Sequence, residues 1–134
     1  MIFIDSNVPM YLVGPQHALK AETQHLLSNL VSQGKRMVSN AEVLQEILHR
    51  YVAVNRREAI QPAFDALLRI ADEIIPIDQA AAVRAKEIVT GYHGVSARDA
   101  LHLATMERHG IMEIFSFDSG FDQFPGIARI PRGR

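Results

Sequence analysis

The sequence predicts an α/β protein with a short, mainly parallel central sheet flanked by helices. Short apolar runs alternate with longer segments of helical periodicity, which is the pattern of strands joined by right-handed helical crossovers. Two apolar runs, 1–4 and 114–117, are stopped by aspartates, Asp5 and Asp118. Because the carboxyl ends of parallel strands face the ligand crevice of such a sheet, we expect these two carboxylates in one site.

Five strands and six helices are predicted. The strands are 1–4, 36–39, 73–77, 114–117 and 128–130. The helices are 6–12, 17–33, 40–54, 57–71, 79–90 and 96–106. Asn40, Asp78 and Ser96 stand at the starts of three of these helices, where their side chains are favoured N-caps.

The 134 residues, of which 48% are hydrophobic, are enough for one globular domain over residues 1–134. The sequence has no cysteine, which excludes disulfides and thiolate metal ligands. It has no basic leader segment and no apolar run near the roughly 18 residues that span a membrane. We therefore expect a soluble, cytoplasmic protein that does not associate with a membrane.

The helix 96–106 is apolar almost all the way round, so it is predicted to be buried. Asp99 lies in its first turn, three residues after Ser96. One interpretation is that Asp99 only supports the helix N-terminus. The other is that its carboxylate enters the same site as Asp5 and Asp118. Glu46, between apolar positions of the helix 40–54, is likewise either a surface residue or a second inward-facing acid.

Several carboxylates in one pocket predict a metal site. Each pair of like charges within a few ångströms costs on the order of 1 kcal/mol or more, so the group must be protonated or bound to a cation. Oxygen ligands alone suit Mg²⁺ or Mn²⁺. Such an ion polarises a phosphoryl oxygen and lowers the pKa of a bound water, which favours phosphodiester hydrolysis.

The charge balance limits how nucleic acid could be bound. The chain has 14 Lys and Arg against 15 Asp and Glu, which excludes a basic coat over the whole surface. Contact with RNA must therefore be local or shared with a partner chain. The candidate contacts are Arg50, Arg56, Arg57 and Arg98, with a second group at Arg129, Arg132 and Arg134.

Other classes of protein fit less well. Two Glu-x-x-His pairs, Glu22 with His25 and Glu46 with His49, resemble the ligand pairs of di-iron bundles, but those sites need four long helices and no sheet. A phospho-accepting receiver domain needs a lysine after a late strand, and none stands near Asp118. A non-catalytic RNA-binding module, with its acids serving as helix caps, stays open.

Four segments carry a resemblance to a known family. They are the opening run 1–7, the segment 38–48, the run Arg-Asp-Ala-Leu-His-Leu-Ala at 98–104, and the segment 116–121. In this order they resemble PIN-domain nucleases, and most closely the VapC-type toxins of bacterial toxin–antitoxin pairs. The resemblance covers nearly the whole chain and implies the three-layer PIN fold around a short parallel sheet.

The resemblance also implies residue roles. The acidic quartet and metal ligands would be Asp5, Glu46, Asp99 and Asp118, with Asp122 as an alternative to Asp118 one helical turn later. The groups that orient the carboxylates and water would be Ser6, Asn7, Ser39 and Ser116. His102, three residues after Asp99, is interpreted as a hydrogen-bonded buried histidine.

The activity implied is that of a Mg²⁺- or Mn²⁺-dependent endoribonuclease, the toxin half of a toxin–antitoxin pair. The partners implied are an RNA substrate, a cognate antitoxin and a second copy of the chain. The dimer would join the arginines around the two acidic pockets into one groove for RNA. An RNA-processing PIN nuclease without an antitoxin is the alternative, beside the non-catalytic module above.

Overall fold

The computed structural model describes residues 1–132 and contains one five-stranded sheet in which every neighbouring pair is parallel. The strand order is β3-β2-β1-β4-β5. The strands are β1 (Ile2–Ile4), β2 (Met37–Asn40), β3 (Glu73–Ile75), β4 (Glu113–Phe115) and β5 (Ala128–Ile130). The predicted fold class is confirmed, and each predicted strand overlaps an observed one.

Two strands are shorter at their carboxyl ends than predicted, each for a physical reason. β3 ends at Ile75 because Pro76 follows and has no N–H to donate to a neighbouring strand. β4 ends at Phe115, and the N–H of Phe117 donates to the side-chain Oδ1 of Asn7 instead of to a strand.

Helices cover the sheet. They are α1 (Asn7–Val13), α2 (Ala18–Ser32), α3 (Ala41–Ala53), α4 (Ile60–Ile70), α5 (Gln79–Gly91) and α6 (Ala97–Arg108). Short 3₁₀ turns occupy Arg57–Ala59, where the sequence predicted the start of a helix, and Ser119–Gln123. Within residues 1–132, no helix combines the length and apolar character that crossing a bilayer requires.

The predicted N-caps of three helices are confirmed. Asn40, Asp78 and Ser96 each accept a hydrogen bond from a backbone N–H in the first turn of α3, α5 and α6. Ser6 stands at the N-cap position of α1 but makes no side-chain capping bond. Its hydroxyl is used elsewhere, as described below.

The core lies around β1 and α6. Ile2, Phe3 and Ile4 are fully buried because β1 is the central strand with helices over both faces. The predicted burial of α6 is confirmed: its buried apolar side chains are Ala100, Leu103, Ala104 and Met106.

The parallel order brings several chain segments to one edge of the sheet. Asp5 follows β1, Asn40 ends β2 and Ser116 follows β4, so all three lie at the carboxyl edge. The N-terminus of α3 starts at that edge directly after β2, and α6 supplies His102 beside Asn40. This edge is therefore where the predicted acidic residues can meet.

Candidate active site

Asp5 is held at the end of the central strand by three hydrogen bonds. Its Oδ1 accepts from the N–H of Ser6 at 2.7 Å, and its Oδ2 accepts from Ser116 Oγ at 2.6 Å and from Asn7 Nδ2 at 3.5 Å. Burial raises the pKa of the Asp5 carboxyl above its usual range, and the charge of Glu46 adds to the rise, although His102 opposes it. An ionised Asp5 thus needs a positive partner.

Glu46 faces the site, which decides between the two interpretations that its sequence position left open. Its Oε1 forms a very short hydrogen bond with Nε2 of His102, and its Oε2 accepts from Ser6 Oγ at 3.3 Å. Its side chain is 15% exposed. The side chain of Ser6 therefore contacts an acid of the site instead of capping α1.

His102 is completely buried between the acids and the core. Its Nε2 contacts Glu46 and lies 3.8 Å from Asp5 Oδ1, while its Nδ1 lies 3.2 Å from Asn40 Nδ2. Burial by itself lowers the pKa of the imidazole, but the hydrogen bond to Glu46 and the charge of Asp5 raise the pKa above its ordinary value. The histidine is hydrogen-bonded and buried, as expected, and it is also part of the acidic cluster.

The backbone N–H of Asp99 takes part in the cap of α6, and its carboxyl faces the acidic cluster. Its backbone N–H donates to Ser96 Oγ at 3.1 Å, so it completes the cap of α6. Its carboxyl faces the other acids: burial raises the pKa to about 7, and the charges of Asp5 and Asp118 contribute to that rise. A carboxylate so affected by its neighbours belongs to one electrostatic cluster with them.

Asp118 and Asp122 have different surroundings. Asp118 is exposed after β4, and its N–H donates to the same Ser116 Oγ that contacts Asp5. Asp122 instead forms a two-pronged ion pair with Arg129, at 2.9 and 3.0 Å, which lowers its pKa. The geometry therefore favours Asp118 over Asp122 as the fourth acid.

The polar residues predicted to orient the acids differ in their contacts. Asn7 and Ser116 contact Asp5 and each other, the Asn7 amide lying 3.3 Å from Ser116 Oγ. Ser39 is buried and donates to the carbonyl oxygen of Ile4 at 2.8 Å. Its contact is thus with the β1 backbone before Asp5 and not with a carboxylate.

The predicted basic residues are only partly at the site. Arg50 and Arg98 line a pocket beside Glu46 together with Ser6, Asn7, Met10 and Tyr11. Arg56 pairs with Glu58, and Arg57 is exposed in the 3₁₀ turn.

The second predicted basic group consists of Arg129, Arg132 and Arg134. The expectation that Arg129 belongs to a basic surface is wrong, because its side chain is 2% exposed and pairs with Asp122. Arg132 is exposed, and Arg134 lies outside the described residues.

Two features near the site were not predicted from sequence. Asn40, expected only as a helix cap, contacts His102 through its side chain, and Glu42 lies one turn before Glu46, where burial and the Glu46 charge raise its pKa. Arg98 Nε lies 4.0 Å from Glu42 Oε1. Helical spacing from Glu46 is the signal that could have indicated Glu42.

The carboxylate oxygens gathered at the site are suitable ligands for a hard cation. Ligand atoms of Asp5, Glu46 and His102 lie within 4.8 Å of one another, with Asp99 close enough for its pKa to respond. These acids repel one another, and the fully buried ring of His102 contacts Glu46 and lies near Asp5. A divalent ion would relieve that repulsion.

An acidic cluster at the carboxyl edge of a five-stranded parallel sheet is the arrangement of a PIN domain, and the PIN domain family pattern matches residues 2–127. The chain belongs to the PIN-domain family. Within it, the chain is similar to VapC ribonucleases. It is 54% identical to ribonuclease VapC13 of Mycobacterium tuberculosis over 97% of this chain and 99% of the relative. It is 38% identical to VapC23 of the same species over 88% and 93%.

Solved structures share the fold. The sarcin-ricin loop cleaving toxin VapC20 of M. tuberculosis superposes with a TM-score of 0.70 at 20% identity, over 91% of this chain and 93% of that one. The VapBC2 complex of Rickettsia felis bound to promoter DNA gives 0.72 at 16% identity, over 96% and 97%. FitAcB of Neisseria gonorrhoeae gives 0.71 at 22% identity, over 96% of each chain.

Proposed function

We propose that this protein is a metal-dependent endoribonuclease of the VapC type, which hydrolyses RNA phosphodiester bonds as the toxin of a toxin–antitoxin pair. The observation that carries this proposal is the meeting of Asp5, Glu46 and Asp99, from three separate elements, at one edge of the sheet. The 54% identity to ribonucleases over almost the whole chain supports the substrate class. Cellular RNA as substrate assigns the activity to the cytoplasm.

The proposed metal ligands are the carboxylates of Asp5, Glu46, Asp99 and Asp118. An all-oxygen set favours Mg²⁺ or Mn²⁺, and a bound ion of this kind supplies charge at the phosphoryl group and acidifies water. Asp5 is the most firmly oriented ligand, because Ser6, Asn7 and Ser116 all contact its carboxylate.

The protein's own side chains would position the substrate. Arg50 and Arg98 line the pocket next to Glu46, so they are the proposed contacts to RNA phosphates. Arg56 pairs with Glu58 and Arg57 lies in the exposed 3₁₀ turn, so both are assigned a weaker role. Because one chain offers few cations beside its acidic site, we propose a homodimer in which the arginines beside the two sites line one groove.

The proposed regulator is an antitoxin. VapBC2 of R. felis and a toxin–antitoxin pair of Klebsiella pneumoniae have this fold and were solved as complexes. A basic side chain of the antitoxin, placed against Asp5, Glu46 and Asp99, would replace the metal's charge. An RNA-processing nuclease without an antitoxin is not favoured by this set of relatives.

The test is cleavage of RNA by protein stripped of metal. We expect no cleavage in EDTA, recovery with Mg²⁺ or Mn²⁺, and loss of cleavage in Asp5→Asn at every metal concentration. Asp65→Asn, an exposed acid on α4, is the matched control and should cleave normally. Full activity in EDTA, or with zinc alone, would contradict the proposed metal chemistry.

The proposed homodimer and the proposed antitoxin are tested separately. Sizing of the purified chain should give a dimer, and co-expression with the product of the neighbouring gene should give an inactive complex. Removal of one antitoxin arginine or lysine should then restore cleavage. A monomer with full activity would overturn the dimer, and a partner that leaves cleavage unchanged would overturn the antitoxin role.

A further inference from the structure

We propose that Asn40 is a positioning residue that fixes the ring of His102 as the Nε2–H tautomer, so that His102 orients Glu46 and does not itself bind the metal. The inference rests on the proposed function for its consequence, but its evidence is the hydrogen bonding of three buried side chains. Asn40 and His102 are both fully buried, so water does not compete for these bonds.

The orientation of the Asn40 amide is set by two contacts other than His102. Its Oδ1 accepts from the N–H of Val43 at 3.0 Å, which is the cap of α3 and requires an acceptor. Its Nδ2 donates at 2.9 Å to the hydroxyl of Thr105, whose own hydrogen is donated to the carbonyl oxygen of Leu101 at 2.9 Å. Exchanging the amide oxygen and nitrogen would break the cap.

The remaining hydrogen on Asn40 Nδ2 points at His102 Nδ1, 3.2 Å away. Nδ1 must therefore accept, and in a neutral ring the proton then lies on Nε2. The Nε2–H points at Glu46 Oε1, the atom with which it forms its very short contact. The helix cap of α3 thus determines which nitrogen of a histidine on α6 carries the proton.

This arrangement separates His102 from the metal ligands, although its Nε2 lies near Asp5 and Glu46. A nitrogen that carries a proton has no lone pair for a metal. The ring instead occupies one oxygen of Glu46, while Ser6 contacts the other at 3.3 Å, so the carboxylate is held from two sides. A proton placed on Nδ1 would face the hydrogens of the Asn40 amide.

The experiment is nitrogen NMR of the imidazole in the full-length, metal-free protein, followed by addition of Mg²⁺, which is diamagnetic. In the neutral ring we expect Nδ1 to resonate as an unprotonated nitrogen and Nε2 to keep its attached proton when Mg²⁺ is added. A neutral ring that carries its proton on Nδ1, or loss of the Nε2 proton when Mg²⁺ is added, would overturn the proposal. Neither result depends on RNA cleavage, so a failure of the proposed activity is recognised separately.

The matched variant is Asn40→Asp, which keeps the cap oxygen for Val43 but replaces the donor that faces Nδ1 by an acceptor. We expect a proton to appear on Nδ1 and Mn²⁺ affinity to fall about 10- to 100-fold, the usual effect of losing a group behind a metal ligand. Asp78→Asn makes the reverse exchange at the exposed cap of α5 and should bind Mn²⁺ normally. Unchanged Mn²⁺ affinity in folded Asn40→Asp would overturn the proposal, and the NMR result on the unmodified chain decides the matter if that variant does not fold.

Discussion

The hydroxyl of Ser116 lies 2.6 Å from Oδ2 of Asp5, and this hydrogen bond joins residues 111 positions apart in the chain. The same hydroxyl oxygen accepts the N–H of Asp118 at 3.0 Å. One serine at the end of β4 therefore sets the position of an acid after β1 relative to an acid in its own loop. The contribution of Ser116 to metal binding and to stability can be measured with a variant.

Ser116→Ala should weaken Mn²⁺ binding about 10-fold or more, because Asp5 loses an orienting donor. The free energy of unfolding should fall by about 1 kcal/mol, the usual cost of one such hydrogen bond. Calorimetric Mn²⁺ titration and denaturant melts measure the two effects. Ser119→Ala, at an exposed serine nearby, is the control. Equal Mn²⁺ affinity in both variants would show that Ser116 does not support the site.

Asp99→Asn should abolish cleavage and stabilise the metal-free protein. The pKa of Asp99 is raised from 3.8 to about 7 in the folded state. Its ionisation therefore opposes folding: the penalty is absent below about pH 4, grows as the pH rises and is complete above about pH 7. We expect the variant to gain about 1 kcal/mol at pH 8, less than the full shift implies because the side chain is partly solvated.

Melts of Asp99→Asn and the unmodified protein at pH 4 and pH 8, both without metal, measure this difference. The gain should be present at pH 8 and absent at pH 4. If Asp99 served only the helix N-terminus, the variant would instead lose about 0.5 to 1 kcal/mol and keep its cleavage activity.

Asp118→Asn and Asp122→Asn form a pair that separates the two candidate fourth acids. Asp118→Asn should reduce cleavage with little change in stability, because its side chain is exposed. Asp122→Asn should leave cleavage almost unchanged but destabilise the protein by about 1 to 3 kcal/mol, since Arg129 would keep a buried charge without its carboxylate. The reverse pattern in activity assays and melts would assign the fourth acid to Asp122.

Arg50→Ala and Arg98→Ala should each weaken binding of RNA to the Asp5→Asn protein, which binds without cleaving. Each should also lower the slope of log affinity against log salt by about 0.7, as expected for one phosphate contact on a single strand. Arg36→Ala is the control, because Arg36 precedes β2 at the opposite edge and pairs with Glu73. An unchanged slope would remove that arginine from the RNA surface.

Much of the fold and of the acidic site could be predicted because both follow from local patterns. Apolar runs that stop at Asp5 and Asp118 indicate strand ends, and Ser96 and Asn40 indicate helix starts, each within a few residues of the observed element. The position of β1 at the centre of the sheet explains why its run is apolar on both faces. The family resemblance added Glu46, whose direction its helix alone left undecided.

The other features depend on contacts between distant segments. From its place in the sequence, Arg129 is predicted to be a surface cation. In the structure, the 3₁₀ turn Ser119–Gln123 brings Asp122 next to it, and their two-pronged ion pair offsets the free-energy cost of burying the guanidinium. Asn40 reads as a helix cap, which it is, but its second role appears only when α6 places His102 beside it. Residue spacing within one helix cannot predict a contact between side chains of two different elements.

The pairing of β1 with β4 has a consequence for synthesis on the ribosome. Asp5 emerges first, but the strand that partners β1 on one side and the serine that orients Asp5 come more than a hundred residues later. A nascent chain that has not yet released β4 from the exit tunnel holds its first acid without that support. The proposed nuclease therefore completes its acidic site only after the segment that carries Ser116 has left the ribosome, 111 residues after its first acid.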